Sequence, residues 1–164
     1  MEVSGDVDFD ALFKEQYSRL VAFGAVLSGS REIASELAQE TMLRAHRHWH
    51  EVGGFDRPEA WLRRVMTNLL IDHHRSSTAE GAALERIARG RVVQVEASDD
   101  WVALIAPLPM RQRVIVTMFY GEDRSIGEIS EMLKISRGTV KSALSRARQR
   151  LHGALQSEVG HGQR

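Results

Sequence analysis

Apolar residues recur along most of this chain at steps of three and four, with polar residues between them. That spacing is the signature of helices packed by one face. Phe9, Leu12, Phe13, Tyr17, Leu20, Phe23 and Leu27 keep the period and predict a first helix over 9–27, its aromatic side chains turned to a core. Gly29 breaks it, and Ser30 supplies a side-chain cap for a second helix over 31–49. The inward stripe there is Ala34, Leu37, Ala38, Thr41, Ala45 and Trp49. Residues 51–57, with Gly53 and Gly54 before Phe55, predict a loop. Pro58 then opens a third helix, in the turn where its missing N–H costs nothing. Trp61, Leu62, Val65, Met66 and Leu69 form its apolar side, and it is expected to run to about residue 75.

The pattern then lapses. Residues 77–98 hold glycines and no aromatic residue, with at most a helical turn or two over 82–89 and a short strand over 91–95. They predict a linker. Periodicity returns in a short helix over 101–105, stopped by Pro107, and in another from Pro109 to Gly121. Ser125 and Glu128 have capping-box spacing, so a helix starts there, with Ile126, Ile129, Met132 and Leu133 inward. After a break at Lys134-Ile135, Ser136 caps a last helix. Val140, Leu144, Ala147 and Leu151 follow on one face of it, and residues beyond 155 are expected to fray. The predicted fold is all-α: two small helical domains, over 5–76 and 99–156, joined by a flexible linker.

Charge changes the picture through its distribution. The 164 residues carry 22 basic and 22 acidic side chains, so net charge is uninformative. Between 137 and 150, however, Arg137, Lys141, Arg146, Arg148 and Arg150 stand with no acid among them. The first thirty residues instead hold five acids and two bases. Soluble helices usually mix signs. A short capped helix, a tight turn and a basic second helix make a helix-turn-helix. Its second helix begins with the small, polar set Arg137, Gly138, Thr139, Lys141 and Ser142, suited to entering a major groove. The third helix adds a weaker basic face in Arg63, Arg64, Asn68 and Arg75, which can track a phosphate backbone.

Cysteine is absent, which excludes disulfides, thiolate catalysis and Cys-ligated zinc. The N-terminus lacks a signal-peptide pattern, and no apolar run approaches the roughly 20 residues that span a bilayer. A soluble cytoplasmic protein is expected. His46 and His50 share a helix face at two-histidine metal spacing, with His73 and His74 as further candidates. No general base or third ligand completes such a site, so a polar helix end is the simpler reading and no metal or cofactor is assigned.

Two helical units with a terminal helix-turn-helix resemble the extracytoplasmic-function (ECF) group of bacterial sigma factors, within the sigma-70 family, over roughly 9–155. The sequence Glu36-Leu37-Ala38-Gln39-Glu40-Thr41 is similar to that group's clamp-binding helix. Pro58-Glu59-Ala60-Trp61-Leu62-Arg63-Arg64-Val65, continuing to Asn68-Leu69-Leu70-Ile71-Asp72, is similar to its promoter-melting helix. Leu108-Pro109 with Arg111 and Arg113, then 136–142 with Arg146-Ala147-Arg148, is similar to its second DNA-binding region. The resemblance implies no catalysis. It implies that Glu36, Leu37, Gln39 and Glu40 bind the clamp helices of the largest subunit of core RNA polymerase. It implies a further contact with the polymerase flap, and a −10 element opened and held by Trp49, Phe55, Arg63, Arg64, Asn68 and Arg75. Arg137, Thr139, Lys141, Ser142, Ser145, Arg146 and Arg148 would read the −35 element. A separate anti-sigma factor would hold the protein, a monomer when free, until a stress or envelope signal.

Three positions depart from the family pattern. Lys134 stands where the turn usually has Gly, at a cost of order 1 kcal/mol if that residue is left-handed. Ala143 replaces a long polar residue, removing one phosphate contact, and Ser35-Glu36 replaces an acidic pair. The alternative is a stand-alone helix-turn-helix regulator, which would dimerise on a palindrome. A metal-dependent enzyme on the histidines is a remote third.

Overall fold

The computed structural model describes residues 4–80 and 99–161. The expectations for 82–89 and 91–95, and most of the expected linker, lie outside the described residues. All regular elements among the described residues are helical. The first unit comprises α1 (Ser4–Ser28), α2 (Arg31–Arg47), the single turn α3 (Trp49–Val52) and α4 (Pro58–Glu80). Ser30 caps α2 as its position implies, its hydroxyl accepting from the Ile33 N–H at 3.2 Å. At His48 the backbone leaves the helical region (φ −107°, ψ 22°), so α2 stops at Arg47 and Trp49 opens α3 rather than closing α2. α4 continues to Glu80, beyond the expected end near residue 75.

The three long helices meet around Gly24. A Cβ there would lie 3.0 Å from Ala34 Cβ and 3.2 Å from its Cα, and would displace the flexible Met66 methyl 2.4 Å away, so glycine lets α1 lie close against α2 with the Met66 side chain of α4 beside it. Thr41, in the buried stripe of α2, donates its hydroxyl to the Leu37 carbonyl at 2.8 Å, so its own buried donor is satisfied. Not every aromatic ring of α1 is core. Phe13 is 39% exposed and stacks on Tyr17, ring centroids 5.0 Å apart.

The second unit comprises α5 (Asp99–Ile105), α6 (Met110–Val116), α7 (Ile126–Leu133) and α8 (Arg137–His161). The helix expected to run unbroken to Gly121 instead widens after Val116 into a π-helical turn, Thr117–Gly121. There the Glu122 N–H bonds the Thr117 carbonyl at 3.0 Å. Asp123, with φ 54°, then turns the chain toward α7. The capping box forms as the spacing implies. Ser125 Oγ accepts from the Glu128 N–H, and the Glu128 carboxylate accepts from the Ser125 N–H, each at 3.1 Å. Helix α8 extends to His161, past the expected fraying point.

The two units share one apolar core. Helix α4 packs on α6 and α7, and α1 on α5 and α6. Arg113 ties the units together. Its Nε donates to the Leu108 carbonyl at 2.7 Å and its Nη1 to the Leu27 carbonyl, at the end of α1, at 2.9 Å. Arg63 of α4 forms an ion pair with Glu122, just after the π-helical turn.

Candidate nucleic-acid interface

The helix-turn-helix is built from local chemistry. Lys134 closes α7 in the left-handed region, φ 52° and ψ 50°. Ser130 donates its hydroxyl to the Ile135 carbonyl at 2.6 Å, fixing the turn. Ser136 accepts from the Thr139 N–H at 3.0 Å, and the two hydroxyls bond each other at 2.8 Å. Val140, Ala143, Leu144 and Ala147 are buried, which sets the rotation of α8 about its axis. Arg137, Lys141, Ser142, Ser145, Arg146 and Arg148 are all exposed as a consequence, while Thr139 is half-buried and engaged in the cap. Ala143 lies on the buried side, so a long polar side chain there would have to skirt the core to reach a phosphate.

Arg137 leans back over α7. A Cβ on Gly127 would come within 3.0 Å of its Nη2, so Gly127 leaves the room that this guanidinium occupies. Near the middle of α8, Arg148 donates from Nε to the Tyr120 hydroxyl at 2.7 Å.

Of the predicted −10 residues, Phe55 and Arg64 share a cavity, Asn68 and Arg75 are exposed, and Arg63 and Trp49 are engaged elsewhere; Trp61, read in the sequence as part of the apolar side of the third helix, joins the cavity. Phe55, Trp61 and Arg64 line a cavity of about 200 Å³, together with Arg57; its far wall is Glu131, Met132 and Lys134 of α7 and the following turn. An exposed ring (Phe55), a second ring and two guanidinium groups thus face one space, the combination that holds single-stranded bases. Asn68 and Arg75 are exposed further along α4. Arg63 stacks over Phe23, 4.2 Å from its centroid, and pairs with Glu122, its side chain only 15% exposed. Trp49 meets Phe9 edge-on at 5.4 Å.

On α2, Glu36 and Gln39 are exposed, and Leu37 and Glu40 half-buried. Glu40 pairs with Arg44 at 2.9 Å. Next to them runs a groove of about 280 Å³ lined by Phe9, Phe13, Gln39, Met42, Leu43 and His46. Leu43, 51% exposed on an otherwise polar face, is an apolar group that the periodicity left unassigned. His46 lies in this groove, whereas His73 and His74 line a different cavity, so the candidate metal histidines do not converge. Among the described residues no helix is long and apolar enough to cross a membrane.

The fold and the exposed basic helix define a two-part helical DNA-binding protein of the helix-turn-helix class. Residues 12–80 match the family Sigma-70 region 2, and residues 98–151 match Sigma-70, region 4. The chain is 34% identical to the ECF RNA polymerase sigma factor SigM of Mycobacterium tuberculosis, over 91% of this chain and 78% of that protein. It is 27% identical to the SigM of Bacillus subtilis, over 87% and 91%. A solved structure of the sigma factor RpoE in complex with the anti-sigma factor NepR, from Bartonella quintana, has the same fold (TM-score 0.59, 23% identity, covering 91% of this chain and 97% of that one). The chain belongs to the ECF sigma factors of the sigma-70 family, which act in transcription initiation and are not enzymes.

Proposed function

We propose that the chain joins core RNA polymerase through α2 and divides promoter recognition between its two units. The observation that carries this reading is the exposed polar and basic face of α8. Its rotation is fixed by a buried stripe, so Arg137, Lys141, Ser142, Ser145 and Arg146 are presented together. In a major groove, some of these groups fix register on phosphates and others reach base edges. Thr139 serves as part of the helix cap beside them, and Arg148 continues the phosphate track. On the first unit, Phe55, Trp61, Arg57 and Arg64 take flipped bases of the melted −10 strand, and Asn68 and Arg75 follow its backbone.

Glu36, Leu37, Gln39 and Glu40 dock on the polymerase clamp helices, and the second unit meets the flap. An anti-sigma factor holds the protein until its signal arrives. Support comes from the family and from a structural neighbour solved with such a partner.

Co-elution with core RNA polymerase tests the central claim. Wild type is expected to co-elute, and Glu36→Lys with Glu40→Lys to abolish the complex while leaving helicity intact. A folded wild-type protein that never joins polymerase would leave a stand-alone regulator as the better reading.

A further inference from the structure

The π-helical turn Thr117–Gly121 has a consequence for the neighbouring basic helix. Such turns insert an extra residue and often re-aim a side chain at a functional site. Here the turn presents Tyr120, 51% exposed, toward α8. Its ring meets Phe119 edge-on, centroids 4.9 Å apart and planes at 84°. The guanidinium of Arg148 lies over both rings, 5.7 Å from Tyr120 and 6.0 Å from Phe119, and donates from Nε to the Tyr120 hydroxyl at 2.7 Å. Among the described residues no carboxylate pairs with Arg148.

Arg148 stands seven residues after Lys141 and three after Ser145, so it shares their helix face. A long arginine side chain on an exposed helix is normally a rotamer ensemble, and ordering it against a phosphate costs conformational entropy. The tyrosine hydroxyl and the two rings fix the guanidinium plane beforehand. The Nη1/Nη2 edge stays available, and that edge matches two phosphate oxygens. The hydroxyl, while accepting from Nε, still has its own hydrogen to donate.

We propose that Tyr120 and Arg148 form a preset phosphate clamp, with Tyr120 the positioning residue, that anchors duplex DNA one to two turns beyond the base-reading end of α8. The proposal rests on the reading of α8 as the promoter-reading helix. It adds a contact from outside the helix-turn-helix, on a residue chosen by the π-helical turn.

The test uses the full-length protein and a fluorescent 30-base-pair duplex of arbitrary sequence at low salt, because phosphate contacts are blind to sequence. Tyr120→Phe keeps both rings and loses only the hydroxyl. Arg148→Ala removes the clamp, and the two are combined in a double variant. Arg148→Ala is expected to weaken binding about fivefold and to lower the salt slope by about one. Tyr120→Phe is expected to lose most of the same factor with an unchanged melting temperature, and the double variant to be no weaker than Arg148→Ala. Full affinity in Tyr120→Phe, tighter binding in it, or additive losses would each overturn the clamp. Lys141→Ala separates this from the parent reading. If Lys141→Ala weakens binding and Tyr120→Phe does not, only the clamp fails. If wild type does not bind duplex at all, α8 is not a DNA helix and both fail.

Discussion

Lys134 is a backbone compromise at the centre of the helix-turn-helix. A left-handed residue with a Cβ crowds its own carbonyl and costs roughly 1–2 kcal/mol relative to glycine. Lys134 holds φ 52° because the turn is fixed from both sides, by Ser130 bonding the Ile135 carbonyl and by Ser136 capping α8. The position was legible only through the family resemblance, since the turn usually has Gly where this chain has Lys134. Lys134→Gly is therefore expected to stabilise the protein by about 1 kcal/mol, read as a raised midpoint in urea unfolding with an unchanged slope. A lowered midpoint would mean that the Lys134 side chain, which lines the cavity beside Arg64, contributes more than its backbone costs. Arg137 was legible only in part. Its charge and position make it a candidate DNA contact, but nothing in the sequence connects it to the space over Gly127.

At the scale of elements, what could be read was what depends on neighbours within a few residues. The caps at Ser30, Ser125 and Ser136 are set by hydroxyls three residues before the N–H groups that they satisfy, and all three form. The rotation of α8 follows from its apolar stripe for the same reason. The π-helical turn was not legible, because Thr117–Gly121 satisfies the helix period as well as any α-helical stretch. Its extra residue answers to the packing of α6 and α7 around it. Helix α2 ending at Arg47 was missed likewise, since Trp49 fits the period of α2 yet turns its ring to Phe9 of α1. The capping box offers a local test. Ser125→Ala removes an acceptor from the Glu128 N–H and is expected to cost about 1 kcal/mol, with a corresponding fall in melting temperature. Because α7 carries the turn and positions α8, duplex binding should fall only as far as folding does. A loss of binding without loss of stability would show that Ser125 itself touches DNA.

At the scale of the whole molecule, the packing of the two units was the least legible feature. Arg63 and Glu122 are 59 residues apart; in sequence Arg63 reads as a candidate −10 contact and Glu122 as part of a break between helices, and nothing there joins the two. In the folded chain their side chains are 15% and 24% exposed, and the pair joins α4 to the second unit. The packing of α4 on α7 also sets Glu131, Met132 and Lys134 across the cavity from Phe55, Trp61 and Arg64. Ion pairs of this partly buried kind hold poorly when incompletely bonded. Here the buried Glu122 Oε2 and the Arg124 Nε have no hydrogen-bond partner. The pair therefore sets which face of α4 the second unit covers, while the apolar contacts supply most of the adhesion. Reversing its charge tests this. Glu122→Lys places a cation against Arg63 and is expected to separate the units and release Arg63. The absence of cysteine makes the measurement direct, since dyes placed at Gln39→Cys and Gln149→Cys label two exposed sites and nothing else. Energy transfer should fall in Glu122→Lys relative to Glu122, and single-stranded oligonucleotide should bind several-fold tighter, as expected for one freed backbone cation. Moderate salt should change transfer in wild type little, because a partly buried pair is only weakly screened. Unchanged transfer in Glu122→Lys would mean that the apolar contact of α4 with α6 and α7 fixes the arrangement alone, with the ion pair a passenger upon it.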